Sequence, residues 1–231
     1  MKKVVITGAS SGIGKTIALR LLNLDYEVIG VSRYINGNTF SSKNFSFIKT
    51  DLSNEKDTLE LCEKLKKIDI YILINCAGFG KFEPHEELSY KTIMDMTFLN
   101  LTSAMLLSSA SLRSLKRNDG YLININSIEA LRASKFAAVY SATKAGLKAF
   151  GDCIFEENRK TKLSVTNINP DMTETNFYKN LRFDVSSKED EKLLASDIAE
   201  AVEHILKIRK GAVISEYTIR STSFGILKKK L

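Results

Sequence analysis

Short runs rich in Val, Ile, Leu and Phe recur along the whole chain, at residues 4–7, 27–31, 45–49, 70–74, 121–126, 164–169 and 212–215. Longer segments with helical spacing lie between them. Ile13, Ile17, Leu21 and Leu22 form one such stripe, and Leu59, Leu61, Cys62 and Leu65 another. A strand that is apolar at consecutive positions must be covered on both faces, which crossover helices on a parallel sheet provide. The alternation therefore predicts an α/β fold: a doubly wound parallel seven-stranded sheet with helices on both faces. Seven strands and their crossovers use the full 231 residues. No Pro- or Gly-rich linker or internal repeat divides them, so one domain over residues 1–231 is expected.

Between the first run and the first stripe lies Thr7-Gly8-Ala9-Ser10-Ser11-Gly12-Ile13-Gly14. A glycine-rich turn from strand into helix brings backbone N–H groups up to a pyrophosphate, and the helix N-terminus favours its charge. The spacing is G-x-x-x-G-x-G rather than G-x-G-x-x-G. The same stretch fits a relaxed phosphate-loop pattern, with Ala9 in place of the first glycine and Lys15 and Thr16 serving phosphate and magnesium. That NTPase alternative requires a metal-holding Asp at the end of a later strand, and it leaves the next feature unexplained.

Tyr140-Ser-Ala-Thr-Lys144 puts a phenol and an ammonium four residues apart, on one face of a helix. A free tyrosine has a pKa of about 10, too high for ready proton exchange at neutral pH. A cation close by is expected to draw that value down towards the working range.

Together these stretches resemble the classical short-chain dehydrogenase/reductase family, with its Rossmann fold, over nearly the whole chain. Asn75-Cys76-Ala77-Gly78 follows the fourth run as the family's NAG signature does, and Asn100 stands in Leu99-Asn100-Leu101-Thr102 on the next long helix. Ser127 closes the fifth run, thirteen residues before Tyr140. The resemblance implies hydride transfer between a nicotinamide and a small carbonyl or secondary alcohol, with Tyr140 as general acid/base. Lys144 would lower the Tyr140 pKa and hold the nicotinamide ribose. Ser127 would hydrogen-bond the carbonyl, and Asn100 would hold a water linking Lys144 to solvent. Gly8, Ser10, Ser11, Gly12, Ile13, Gly14, Asn75, Ala77 and Gly78 would line the cofactor, together with Tyr140 and Lys144. No metal is implied. A catalytically silent NADP-binding sensor is the alternative within this fold, although such a protein is expected to lack the Tyr–Lys pair.

The second run leads into Ser32-Arg33. An acidic residue there would bond the adenosine 2′-hydroxyl and repel a 2′-phosphate, whereas a guanidinium suits the phosphate. NADP(H) is therefore expected over NAD(H). Asp51-Leu52 matches the family's adenine-contacting pair, and Asp51 could also start the helix that follows Ser53.

After the sixth run the family reads Pro-Gly, but this chain reads Pro170-Asp171-Met172-Thr173-Glu174-Thr175. The resemblance implies cofactor contacts from Pro170, Thr173 and Thr175. Asp171 replaces the glycine, and Asp tolerates positive φ better than most residues, so the turn could survive. Glu129 either faces the pocket or turns to solvent. Residues 176–194, with Phe177, Tyr178, Leu181 and Phe183, would form a substrate lid.

A net charge of +7 could suit nucleic acid, but the cations are scattered and the only dense run is Lys228-Lys229-Lys230. That run reads as a solvated tail, with neither nucleic acid nor membrane as a partner. No stretch approaches 18 consecutive apolar residues, and the first run is too short for a signal-peptide core. Three dispersed cysteines, Cys62, Cys76 and Cys153, suit reduced thiols in the cytoplasm. By analogy with the family, a homodimer or homotetramer is expected, with Phe150, Ile154 and Phe155 either at a contact surface or in the subunit's own core.

Overall fold

The computed structural model describes residues 1–35 and 40–229. Its strands are β1 (Lys3–Thr7), β2 (Glu27–Ser32), β3 (Phe45–Lys49), β4 (Ile70–Asn75), β5 (Tyr121–Ile125), β6 (Ser164–Pro170), β7 (Thr173–Glu174), β8 (Phe183–Val185), β9 (Leu193–Leu194), β10 (Glu216–Ile219) and β11 (Ile226–Lys228). Its α-helices are α1 (Gly12–Asn23), α2 (Glu55–Leu65), α3 (Tyr90–Thr97), α4 (Ser103–Arg117), α5 (Ala138–Glu157) and α6 (Ala195–Lys207).

Seven strands pair in the order β10-β6-β5-β4-β1-β2-β3. Every pairing in this sheet is parallel. The fold expected from the alternation is the one observed. Val4, Ile6, Ile72, Ile74 and Ile123 face α1 and α6, while Val5, Leu73, Leu122 and Val165 face the core beneath α2 and α4. Strand order reverses between β1 and β4, and the crevice beyond the carboxyl ends of strands at such a reversal is where α/β sheets take ligands.

The last sheet strand lies further along than the apolar run 212–215 suggests. Pairing with β6 starts at Glu216, opposite Asn167, and Ser215 contributes only its carbonyl, accepting from the Asn167 N–H at 2.9 Å. An edge strand is covered on one side only, so its sequence alternates, and here Glu216 and Thr218 are exposed while Tyr217 and Ile219 are half-buried. The basic run is not a free tail. Lys228 sits in β11, antiparallel to β8, and Lys229 Nζ donates to the Tyr178 carbonyl at 2.6 Å and pairs with Asp184 at 2.8 Å. Lys230 lies outside the described residues. Ile154 is buried in the subunit's own core, and Phe150 and Phe155 pack against it.

A polar ladder crosses the middle of this apolar sheet. Asn75 Nδ2 donates to Asn124 Oδ1 at 3.0 Å and to Ser108 Oγ at 3.1 Å. Asn124 and Asn126 both donate to Asn167 Oδ1, at 3.2 and 3.1 Å. Asn167 Nδ2 then donates to the Lys148 carbonyl at 3.1 Å and to Asp152 Oδ1 at 2.8 Å, both on α5. Gly151 makes this possible, since a Cβ there would stand 2.4 Å from Asn167 Oδ1 and 2.8 Å from Asn124 Nδ2. Gly151→Ala is therefore expected to destabilise the protein by about 1–3 kcal/mol through overpacking, despite the better helix propensity of alanine, as read from the urea midpoint.

Candidate active site

The glycine loop, Ser32-Arg33, Asp51-Leu52, Asn75–Gly78, Ser127 and Pro170–Thr175 lie at the carboxyl ends of sheet strands, while Asn100, Tyr140 and Lys144 come from helical segments. The glycine loop joins β1 to α1 with left-handed backbone at Gly8 (φ 70°) and Gly12 (φ 52°). At Gly14 a Cβ would lie 2.4 Å from the Gly8 carbonyl oxygen, so α1 approaches the loop closely. Ser11 is the N-cap of α1, but its side chain makes no cap bond, and the first turn has no acidic residue. Those N–H groups and the positive end of the helix thus remain available to an anion. Ser10 and Ile13 are half-buried in the same loop. Thr7 Oγ1 accepts from the N–H groups of Cys76 and Ala77 at 2.9 and 3.0 Å, tying the glycine loop to the Asn75–Gly78 stretch. Thr16 Oγ1 donates to the Gly12 carbonyl at 3.0 Å, so its hydroxyl is engaged in the helix and not presented for magnesium.

At the β2 end, Ser32 Oγ donates to the Tyr34 carbonyl at 2.8 Å, and Arg33 is exposed with no ion pair among the described residues. Asp51 closes a turn on Ser53, accepting from its N–H at 3.0 Å and its hydroxyl at 2.7 Å. Burial pushes the Asp51 carboxyl up, but the Ser53 bonds and the Arg33 charge outweigh it and hold it below the usual carboxylate range. Asp51 does not cap α2. That duty falls to Asn54, which accepts from Asp57 N–H at 3.1 Å, while Leu52 is buried beneath. Asn75, expected at the cofactor, donates both amide hydrogens within the ladder, while its buried Oδ1 has no hydrogen-bond partner among the described residues.

Tyr140 lies in the first turn of α5, with Lys144 one turn further on, and both are buried. Ser127 accepts from Glu129 N–H at 3.2 Å, and its side chain lies near enough to the Tyr140 phenol to favour the ionised form. Lys144 Nζ stands 5.9 Å from the Tyr140 ring centre and donates to the Ile125 carbonyl at 2.9 Å. The expected fall in the Tyr140 pKa is not found. Burial pushes the phenol up to about 12, with Ser127 opposing and Glu129 adding to the rise. Burial likewise pulls Lys144 down to about 8, opposed by Cys76. Desolvation therefore dominates at both groups, and the phenol keeps its proton.

Asn100 sits buried in a π-helical turn, Phe98–Thr102. Its amide donates to the Phe79 carbonyl at 2.9 Å and Thr143 Oγ1 at 3.2 Å, and its Oδ1 accepts from Phe79 N–H at 3.0 Å. The side chain is thereby committed to the loop after β4, leaving only a second lone pair for the water expected from the resemblance. Gly78 packs between Asn100 and Lys144, where a Cβ would be 3.0 Å from Asn100 Oδ1 and 3.7 Å from Lys144 Nζ.

Two residues that the sequence leaves open, Asp171 and Glu129, resolve structurally. Asp171 does not take positive φ. Its buried carboxylate pairs with Arg220 Nε at 3.3 Å and accepts from Met172 N–H at 2.9 Å, fastening the end of β6 to the chain leaving β10. Glu129 faces inward, held by Arg132 Nε at 2.9 Å and by the Ser141 hydroxyl at 3.3 Å. Pro170 and Thr173 are buried, and Thr175 rests against Gly12, with its Cβ 3.1 Å from where a side chain there would begin. A ring absent from the sequence reading, Phe82, packs on Tyr140 with centroids 5.2 Å apart. Its signal was the aromatic pair in Phe79-Gly80-Lys81-Phe82, directly after the glycine of the NAG stretch.

Residues 2–207 match the family model described as short chain dehydrogenase. The chain is 33% identical over 235 residues to the 3-oxoacyl-[acyl-carrier-protein] reductase of Buchnera aphidicola, with 94% of each protein covered. It is 30% identical over 230 residues to an uncharacterized oxidoreductase of Staphylococcus aureus, covering 95% of this chain and 96% of that one. An alcohol dehydrogenase from the archaeon Thermococcus sibiricus, complexed with 5-hydroxy-NADP, superposes with a TM-score of 0.86 at 28% identity, covering 97% of this chain and 99% of that one.

The low Lys144 pKa has a measurable consequence. Between about 8 and the ordinary 10.5, the unfolded chain holds a proton on this lysine that the folded protein has released. Stability therefore rises with pH across that window. Lys144→Met is expected to be the more stable form at pH 7 without cofactor, on the order of 2 kcal/mol, with the difference closing as the pH approaches 10.5. Urea denaturation across that pH range checks it.

Proposed function

The chain belongs to the short-chain dehydrogenase family and is an NAD(P)-dependent oxidoreductase, and from that premise we propose that it reduces a small carbonyl compound, or oxidises the matching secondary alcohol, with NADP(H) as cofactor and Tyr140 as general acid/base. The observation that carries this reading is the convergence of half-buried Ser127 with buried Tyr140 and Lys144 at the end of β5, in a fold whose glycine loop leads into an uncapped helix N-terminus. The loop suits a dinucleotide, since Gly8 and Gly14 leave no space for side chains where its backbone must come close.

Gly8, Ser10, Ser11, Gly12, Ile13 and Gly14 would hold the pyrophosphate, and Arg33 with Ser32 the adenosine end. Asp51 and Leu52 would border the adenine, Asn75, Ala77 and Gly78 the ribose side, and Pro170, Thr173 and Thr175 the nicotinamide half. When bound, the reduced nicotinamide would supply the hydride that converts C=O to C–H and leave oxidised. The chain's own residues handle the proton. Ser127 donates to the substrate oxygen as charge gathers there, and Tyr140 delivers its proton to that oxygen. A phenol held protonated by burial is ready to act as an acid at neutral pH. Lys144 keeps two ammonium hydrogens beyond its bond to Ile125, for the ribose hydroxyls, and stabilises the phenolate left after transfer. Asn100 fixes the loop that carries Gly78 and Phe79.

Arg33 supports the NADP(H) preference because its guanidinium is exposed at the β2 end, where a 2′-phosphate would lie. We place the protein in the cytoplasm as a homodimer or homotetramer, acting on a small molecule, with no nucleic-acid or membrane partner. The three cysteines are unpaired, and among the described residues no helix is long and apolar enough to cross a membrane.

Tyr140→Phe is expected to lower kcat by roughly 10²–10⁴-fold while cofactor binding persists. Carbonyl-dependent oxidation of NADPH, alongside cofactor titration of the variant, checks this. Retained turnover would overturn the assignment. Arg33→Ala is expected to raise the Kd for NADPH by at least about tenfold and leave that for NADH little changed, as measured by calorimetry.

A further inference from the structure

We propose that the site selects an uncharged carbonyl compound carrying an apolar, preferably flat, group beside the reacting carbon, and that Phe82 is the specificity-determining residue. This deepens the oxidoreductase reading and rests on it. The Phe82 ring lies 5.2 Å from Tyr140, 6.5 Å from Phe177 and 5.2 Å from Phe183, so one side chain borders the reacting phenol and both lid rings. Phe177 is itself 5.8 Å from Tyr140. These are tilted and edge-on contacts, the arrangement in which an additional ring finds both faces and edges to pack on. Leu88, Met96, Val139 and Ile93 back this cluster, so its floor is apolar.

Gly80 shapes the wall. A Cβ there would stand 2.6 Å from Phe82 and 2.7 Å from Phe177, so only a glycine lets the loop after β4 run against both rings. The rings therefore owe their position to the backbone as well as to each other.

Four cations near the cluster are already matched, while Lys179 and Arg182, which have no ion pair among the described residues, are exposed. Arg132 pairs with Glu129 at 2.9 Å, Arg220 with Asp171 at 3.3 Å, Lys229 with Asp184 at 2.8 Å and Lys81 with Glu83 at 2.7 Å. A substrate carboxylate would meet no uncommitted arginine or lysine among these four and would have to break one of the pairs, leaving a buried or half-buried carboxylate behind. An apolar substituent needs none of this and gains contact with the rings.

The test uses the full chain with NADPH and a matched panel: benzaldehyde, acetophenone, a short aliphatic ketone, and 2-oxo acids of similar size with and without a ring. The expected kcat/KM for an uncharged aryl carbonyl exceeds that for its 2-oxo acid counterpart by at least about tenfold. In Phe82→Leu, which keeps apolar volume, and in Phe82→Ala, the ratio of aryl to aliphatic kcat/KM is expected to fall by about tenfold. Equal or better turnover of the oxo acids overturns the proposal, as does a loss of the same size on every substrate. A second arm is independent of turnover: benzamide and benzoate are titrated calorimetrically into the NADPH-loaded protein. Benzamide binding that Phe82→Leu weakens supports the pocket assignment even if no carbonyl in the panel is reduced, a result that would count against the oxidoreductase reading alone. Tighter binding of benzoate overturns the proposal while leaving that reading intact.

Discussion

The side-chain amide of Asn167 makes four hydrogen bonds inside the protein, and the alignment of the site rests on them. It accepts from Asn124 and Asn126 on the β5 side and donates to Lys148 and Asp152 on α5. The strand that ends in Ser127 and the helix that carries Tyr140 and Lys144 are thus joined through one buried group. Hydrophobic contact alone would allow α5 to slide on the sheet, because apolar packing has little direction. Asn167 itself is fully bonded, and in a low-dielectric interior a shift of α5 would add its amide to the buried oxygens of Asn75 and Asn126, which already lack a partner.

The same dryness sets the chemistry. Burial holds the Tyr140 phenol protonated and pulls the Lys144 ammonium towards neutrality. The two groups are best viewed as a pair whose charge states are governed by solvent exclusion, with a charged ligand able to reset them. Glu129 belongs to this balance, because its charge raises the phenol's pKa while Arg132 offsets the carboxylate. The aromatic cluster of Phe82, Phe177, Tyr178 and Phe183 provides the exclusion, and the ribbon of β8 with β11 braces it from outside.

Much of this was legible in the residue order. Six of the seven sheet strands follow the apolar runs closely: five are central, covered on both faces and continuously apolar, and the sixth, β3, is an edge strand that still carries Phe45, Phe47 and Ile48. The seventh was misplaced by several residues because an edge strand carries the weaker alternating signal, and Ala212 to Ser215 mimicked a strand. The glycine loop and the Tyr–Lys spacing were readable because each demands a residue type at a fixed position. What could not be read was partnership across the fold. Asn167 gives no local sign that it binds α5, nor Asp171 that it pairs with Arg220, nor Lys229 that it clasps the segment after Tyr178. The Tyr140 pKa was misjudged for a related reason: proximity to Lys144 shows in the sequence, whereas desolvation depends on Phe82 and Phe177, which arrive from distant segments.

The contact of Thr175 with Gly12 joins the chain after β7 to the glycine loop. Thr175 leads directly into residues 176–194, its Oγ1 accepts from Phe177 N–H at 3.2 Å, and its methyl lies 3.1 Å from where a Gly12 side chain would begin. A side chain at position 12 would have to push this segment away, so the glycine sets how closely residues 176–194 approach the start of α1.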